Sequence, residues 1–430
     1  MKLNPTFTKL AILAAVSLVL CVVLAQIGGM VHERQARQQE AVQNVEQALA
    51  GGQTLLGPLL VRSCKEVWKT GQGDAESRSF ALTAAPVELG VTGGLSPETR
   101  YRGLFKVNTY AGKFNLTARW TDAAALTPRA DRPGGQVECG DVAVMFSVSD
   151  ARGLRGAELK RDGQPLAVKP GTTHPVYGNG LHAALPGLRL DAGLSLTLAL
   201  DLVGSQRFGV VPAAGSTSVA LQSSWPHPSF GGRFLPADRR IGVSGFEASW
   251  KVTELASNAA NQVAAGEKSP DTLDVELIDP VNPYVMSDRA IKYGLMFIAL
   301  TFVTVGLTEL LTGRRVHPVQ YLLVGLALSL FFLLLLSLSE HLPFLVAYLI
   351  AAGAAAAVLT QYAAAMLGGW LRGLAFGGGI ALLYGALYVL LSREQTALVI
   401  GAVLLFAVLA TVMTLTRKLD WYRLSAAAAE

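Results

Sequence analysis

Charge is distributed along this 430-residue chain in a way that leaves few architectures open. Leu10 to Val31 carries no Asp, Glu, Lys or Arg. More than 250 residues of polar, Gly-rich sequence follow. Tyr293 to Thr416 is then almost wholly apolar, cut by only a few charges. A helix needs about 20 apolar residues to cross the hydrocarbon core of a bilayer. The pattern therefore predicts one N-terminal membrane helix, a large water-exposed domain, and a C-terminal helical bundle. A mean hydropathy of +0.39 and a charged fraction of 16% agree, since both are unusual for a soluble chain.

Six spans are expected: Leu10–Ile27, Tyr293–Leu311, Val319–Ser339, a helix within Leu342–Leu371 that turns at Gly368-Gly369, Leu374–Leu391 and Thr396–Leu415. Orientation follows from Lys and Arg in the short flanking segments. Lys2, Lys9, Arg314, Arg315, Arg372, Arg417, Lys418 and Arg423 fall on one side. The opposite short loops, Glu340-His341 and Arg393-Glu394, hold a single Arg. Both termini are thus expected in the cytoplasm and the long domain in the periplasm of a bacterial inner membrane. The first apolar run is too long for a signal-peptide core and lacks a small-residue cleavage site, so it reads as an uncleaved anchor. The resulting division is 1–31 anchor, 32–289 periplasmic domain, 290–416 five-helix bundle and 417–430 cytoplasmic tail. The net charge of +5 is scattered and partly spent at span ends, so no nucleic-acid partner is expected.

Within the long domain, Gly28-Gly29 reads as a loosened exit from the membrane. Residues 32–50 then read as a separate connecting helix stopped by Gly51-Gly52. From Leu55 the periodicity changes to two. Thr117–Trp120, Val142–Val148, Leu194–Leu200, Val219–Gln222 and Phe246–Val252 alternate as strands, separated by turns such as Asp162-Gly163 and Pro186-Gly187. The expected fold is β-sandwich-like, in one body or two lobes. Glu254–Leu273 reads as a polar linker or short helix. Pro280 and Pro283 predict a short extended strap into the second span.

No nucleophile elbow, zinc-protease helix, P-loop, dinucleotide fingerprint or C-x-x-C occurs. His174, His182 and His227 are far apart, so neither a metal nor a cofactor is expected. Four features remain. Cys64 and Cys139 are the only cysteines outside the membrane: a disulfide, or two separate thiols. The segment Trp225-Pro226-His227-Pro228-Ser229-Phe230, followed by Phe234-Leu235-Pro236, is a rigid extended piece that either packs on a sheet or lines a ligand groove; Trp225, His227 and Phe230 are its candidate residues. Ser149-Asp150-Ala151-Arg152-Gly153 is a strand end, a possible Asp–Arg pair and a turn. Finally, Glu309 interrupts the second span near its cytoplasmic end. Arg314 or Arg315 is its expected partner and His317 lies close by, forming either a helix-end ion pair or a functional membrane cluster.

Several of these segments resemble the CreD family of bacterial inner-membrane proteins: Trp225–Pro236, Asp288–Tyr293, Ala299–Phe302, the string from His317 to Leu326 running on to Leu338-Ser339-Glu340-His341, Ser149–Gly153 and Asp420-Trp421-Tyr422. The resemblance spans nearly the whole chain. It implies a role in cell-envelope integrity and in the envelope response to β-lactams and colicins, and it brings no catalytic motif. Two functions follow as expectations. The first is a non-enzymatic envelope protein whose β domain binds a periplasmic partner, lipid or wall component. The alternative is a transporter or lipid-handling protein acting through the bundle. Membrane lipids are expected contacts in either case. A hydrolase with an unrecognised site ranks last, and oligomeric state is not legible.

Overall fold

The computed structural model describes residues 5–69, 74–280, 282–312, 316–392 and 397–417. The chain divides into two compact units. One comprises Met1–Arg37 with Val281–Glu430, the other Gln38–Pro280.

The second unit is built from strands. In chain order they are β1 (Gln53–Lys69), β2 (Ala75–Ala84), β3 (Glu88–Arg102), β4 (Phe105–Trp120), β5 (Gln136–Cys139), β6 (Ala143–Val148), β7 (Leu154–Arg161), β8 (Gln164–Leu166) and β9 (Lys169–Pro170). Then come β10 (Gly180–Ala184), β11 (Leu194–Ser205), β12 (Arg207–Val210), β13 (Ser216–Ser223), β14 (Pro228–Gly232), β15 (Asp238–Gly242), β16 (Gly245–Thr253) and β17 (Leu273–Leu277). They form a nine-stranded sheet, ordered β14-β17-β12-β1-β6-β10-β9 with β2 and β5 also on β1, and an eight-stranded sheet, ordered β15-β16-β13-β3-β4-β11-β7-β8.

The alternation of β11, Leu194, Leu196, Leu198, Leu200 and Leu202 inward with polar residues outward, shows why this sequence forms a half-buried strand. One continuous core joins both sheets, with Leu55, Phe146 and Phe208 of one against Phe114, Trp120 and Trp250 of the other. The unit is thus a single two-sheet body rather than two lobes. The chain changes sheets at Gln206, between β11 and β12, where φ is +56°. All five sequence-assigned strands fall on strands of the structure.

Both chain crossings leave this unit from one end. Ser205 N–H donates to the Gly51 carbonyl at the entry to β1. At the exit, Leu277 N–H donates to Gln206 O, and Asn108 Nδ2 donates to Leu277 O at 3.0 Å. The region Glu254–Leu273 holds one short helix, α2 below.

The helices are α1 (Pro5–Ala48), α2 (Ala259–Ala264), α3 (Pro283–Lys292), α4 (Gly294–Thr312), α5 (Pro318–Ser339), α6 (Phe344–Leu367), α7 (Trp370–Ser392) and α8 (Ala397–Thr416). Two sequence expectations are corrected here. The chain does not loosen at Gly28-Gly29: α1 is one helix of 44 residues. A glycine costs a helix only about 1 kcal/mol, and Gly28 sits against Ile291, where a Cβ would come within 3.9 Å of its Cγ2. Nor does an extended strap reach to Tyr284. Asn282 caps α3 by accepting from Tyr284 N–H at 3.0 Å, and Pro283 occupies the first turn, where its missing N–H is harmless.

Among the described residues, α1, α5, α6 and α7 are each long and apolar enough to cross a membrane. The expected span Tyr293–Leu311 falls on α4, which passes the same test together with α3; the two are bent by 44° and make a fifth if read as one. The apolar part of α8, Val399–Thr414, is shorter.

Leu20, Leu24 and Ile27 of α1 join Phe297, Phe331, Phe332, Tyr348 and Tyr384 in one core, so the first span packs on the C-terminal helices. Gly377 lies against Thr360 and Gly373 against Ala364, where a side chain would collide; small residues are what bring α6 and α7 together.

Candidate functional site

The densest polar arrangement is the socket that receives the end of α1. No basic residue lies in the last turn of that helix, so its exposed carbonyls need a cation from elsewhere. Arg152 supplies it: its guanidinium donates to the carbonyls of Glu46 and Gln47. Asp150 fixes the arginine, with Nη2 to Oδ2 at 2.6 Å and Nε to Oδ1 at 3.0 Å. Asp150 also accepts from Gly51 N–H at 3.2 Å and caps the short 3-10 turn Ala151–Gly153. The Arg152 guanidinium, with help from the Gly51 and Arg152 amides, holds the Asp150 carboxyl below the usual carboxylate range.

Beneath this pair, Gln53 is fully buried. Its Nε2 donates to the carbonyls of Asp150 (3.0 Å) and Val203 (3.3 Å), and its Oε1 accepts from Asp150 N–H. Gly153 is required because a Cβ there would strike Gln53 and the Val203 carbonyl. Glu46 Oε1 accepts from Ser205 Oγ at 3.0 Å. The Ser149–Gly153 motif is therefore the cap and seat of α1, a role visible in sequence only as an Asp–Arg pair.

In the helical unit, Glu309 has two partners that were not expected. It pairs with Lys9 and accepts from the Tyr321 hydroxyl at 3.1 Å. Arg314 and Arg315 lie outside the described residues. The Lys9 ammonium also stands 5.9 Å from the Tyr321 ring centroid. His317 is the N-cap of α5. Its Nδ1 accepts from Val319 N–H while Gln320 Oε1 accepts from His317 N–H, a reciprocal box that explains the His-Pro-Val-Gln string. Near the other end of the apolar part of α1, Arg34 pairs with Glu340 at 3.2 Å and His32 lies 3.7 Å from Asp288. Sequence reasoning used Lys9 only for orientation and Asp288 only as part of a family segment, and it passed over Arg34. The signal was present, since each is a charge bordering an apolar run opposite a charge of the other sign.

The Trp225–Phe230 segment leads into edge strand β14, which begins at Pro228 and pairs with β17. Phe230 packs edge-on against Phe246 and Trp250 at 5.6 and 5.7 Å. The Trp225 indole donates to Ile278 O at 3.0 Å and lies 5.5 Å from the Lys106 ammonium, which itself pairs with Asp279 at 2.8 Å. His227 is exposed, and its carbonyl also accepts from the Trp225 indole at 3.1 Å. Trp225 and Phe230 thus lie beside β17 and Ile278, where the chain leads out of the unit.

Cys64 and Cys139 form a disulfide between directly paired positions of β1 and β5. Beside it Glu66 is fully buried. It accepts from the Asp131 and Arg132 amides at 2.8 and 2.9 Å and from Arg78 at 3.0 Å. His174 is buried; its Nδ1 accepts from Val176 N–H at 3.1 Å, and burial pushes its pKa down. His182 Nδ1 bonds with Gly171 O. No group of three or more His, Cys, Asp or Glu placed to hold a metal occurs among the described residues. An open groove of about 310 Å³ lies by the Glu88 and Trp120 ends of β3 and β4, lined among others by Leu59, Thr83, Asp122, Asn261 and Val263. Sequence reasoning did not find it, because its walls come from five separate segments of the chain.

Comparison with known proteins agrees with the architecture. Residues 5–422 match the family described as Inner membrane protein CreD. The Inner membrane protein CreD of Escherichia coli (strain K12) is 35% identical over 432 residues, covering 98% of this chain and 95% of that protein. Among solved structures, an M1 zinc metallopeptidase from Deinococcus radiodurans aligns over 45% of this chain and 42% of its own at 9% identity, with a TM-score of 0.22. A likeness that slight carries no argument. The family is named for an inner-membrane protein and not for an enzyme activity, and several helices here are able to cross a membrane. A match over nearly the full length, on a β unit joined to apolar helices, makes this chain a member of the CreD family of inner-membrane proteins.

Proposed function

We propose that this protein serves the integrity of the cell envelope by binding rather than by catalysis. Its β unit lies in the periplasm and takes a partner, lipid or wall component, and α1 relays the state of that unit to the helices. Six spans are proposed, namely α1, the α3–α4 pair, α5, α6, α7 and α8, with both termini in the cytoplasm. The Lys and Arg bias of the short loops supports that orientation, and a disulfide in the β unit suits an oxidising compartment.

The observation that carries the proposal is α1. It is one unbroken helix that contributes to both units, with ion pairs at Lys9 and Arg34 in the first and the Arg152–Asp150 seat in the second. A mere tether needs neither continuity nor a capped seat. Glu309 and His317, which would have carried a transport reading, are engaged in an ion pair and a helix cap.

The test has two arms in cells whose β-lactam survival depends on this protein. A photo-crosslinker at Asn261 in the groove should yield a discrete envelope adduct; its absence under all envelope stresses refutes binding at the groove. A Gly-Ser-Gly insertion between Arg37 and Gln38 should abolish protection while the Cys64–Cys139 disulfide still forms. Full protection by that insertion would reduce α1 to an anchor.

A further inference from the structure

The β3–β4 hairpin is longer than the sheet that holds it. Pairing of β3 with β13 stops at Leu95, and pairing of β4 with β11 stops at Thr109. Beyond those points the two strands pair only with each other, through Thr99–Asn108, Arg100–Val107, Tyr101–Lys106 and Arg102–Phe105. The ribbon therefore projects roughly 15 Å past Thr109, at about 3.3 Å per residue. It projects from the end of the unit at which both chain crossings lie, since Thr109 is paired with Ser205 and Asn108 bonds to Leu277 O.

Its composition is unusual for a free turn. Tyr101 is 69% exposed and Leu104 49% exposed, and Arg100 and Arg102 flank Tyr101. Arg100 is paired with Glu98, and Arg102 has no carboxylate partner among the described residues. At the base of the ribbon, Lys106 binds Asp279, and Trp225, an amphipathic ring, is held between Lys106 and Ile278. Asp279 precedes Pro283, the first residue of α3, by four positions, a chain length of at most ~14 Å. Tyr, Trp and Arg around an exposed Leu are the residues that settle at a bilayer interface. The rings and apolar stems enter the acyl boundary while hydroxyl and guanidinium groups stay with the phosphates.

We propose that the tip of the β3–β4 hairpin, Tyr101 and Leu104 with Arg102, is seated in the phospholipid headgroup layer. This does not depend on the binding function proposed above. It gives the β unit a contact with lipid beyond its two covalent connections. The exposed tip of the β15–β16 hairpin makes a contrast. Val243 is 99% exposed, but Phe246 pairs with Ser223, which is level with Leu95, so this hairpin stops well short of the β3–β4 tip. Leu255, 95% exposed, follows β16 at the opposite end of the sheet, beside Glu88.

The experiment uses the full chain carrying Cys21→Ser, reconstituted in vesicles of phosphatidylethanolamine and phosphatidylglycerol. Spin labels are placed in turn at Leu104→Cys, Val243→Cys and Leu255→Cys, with Tyr101→Cys as the substitute if Leu104→Cys does not fold. Collision with oxygen, which partitions into lipid, is compared with collision with a polar nickel chelate. The label at residue 104 should favour oxygen strongly, and those at 243 and 255 should favour the chelate. A label at 104 as open to the chelate as that at 255 overturns the proposal. So does shielding of residue 104 from both reagents, which would mean that protein, not lipid, covers the tip.

Discussion

In the β unit, buried Glu66 and Gln53 sit inside the fold and each satisfies several backbone groups. In the helical unit, the carboxylates Glu309, Glu340 and Asp288 stand near helix ends, opposite Lys9, Arg34 and His32. Both arrangements obey one rule, that a polar group taken out of water must find partners. Their solutions differ because their surroundings differ. A domain bathed in water can recruit loop amides to a buried carboxylate. A helix in lipid has already spent its amides on itself, so its charges are pushed to the boundaries and paired there. Specificity in the β unit is therefore local and polar. In the helical unit it comes from the packing of Phe331, Tyr348 and Tyr384 between ends that charges hold in register.

The largest effect that can break this contrast is loss of the disulfide. Cys64→Ser with Cys139→Ser opens a closure spanning 75 residues, worth on the order of 4 kcal/mol if it acts by restricting the unfolded chain. Denaturant unfolding followed by exchange of β-unit amides should show that loss in the β unit alone. An equal loss in the helical amides would mean that the units do not fold independently.

Next is Gln53→Leu, which removes the bonds to Asp150 and Val203 and leaves buried backbone groups unsatisfied. The expected cost is about 2–3 kcal/mol, read in the same assay. A neutral outcome would show that water replaces the side chain and that the seat of α1 is not tightly specified.

Glu309→Gln should cost less, roughly 1–2 kcal/mol, because Lys9 is partly exposed and can still reach water. Unfolding of the reconstituted protein by steric trapping would measure it. A loss as large as that of the disulfide variant would place this pair deeper in the membrane than the contrast allows.

How far the fold was legible follows from the same physics. The period-two runs at Leu194–Leu200 and Phe246–Val252 became strands because alternation is imposed by a sheet with one buried face. The apolar runs became helices because length and hydropathy suffice. Continuity was not legible. Gly28-Gly29 looked like a break, yet α1 runs through it with Ile27 and Val31 buried on either side, and such burial is a long-range fact that local propensity does not contain. Pro283 looked like part of a strap, yet Asn282 before it is a good cap, and together they begin a helix. At the candidate sites, residue types were readable and partners were not. Asp150–Arg152 was visible as a pair, but the helix carbonyls it serves are over 100 positions away in sequence. The pairing of Glu309 with Lys9 was not legible, because sequence shows neighbours along the chain and Lys9 lies 300 positions off.

The smallest effect concerns acid, and it discriminates between two polar joints within the β unit. The folded-state pKa of His174 is lowered by burial, and its Nδ1 must stay unprotonated to accept from Val176 N–H. Its contribution is complete above the unfolded value near 6.5 and drains as pH falls below that. Asp150 is also depressed, by Arg152, so its contribution is complete above about 4 and is lost only in stronger acid. Acidification from neutral pH should therefore loosen residues 171–178 before the seat of α1, with a slope no steeper than about 1.4 kcal/mol per pH unit for one proton. Exchange rates of the Val176 and Tyr177 amides, corrected for intrinsic pH dependence, should rise between about pH 6.5 and 5 while those of Gly51 and Arg152 stay level. His174→Gln should remove the first step, because its amide accepts a bond but does not titrate in this range. If Gly51 and Arg152 respond first, the burial of His174 is not what sets the acid sensitivity of this unit, and the Asp150–Arg152 pair is weaker than its geometry implies.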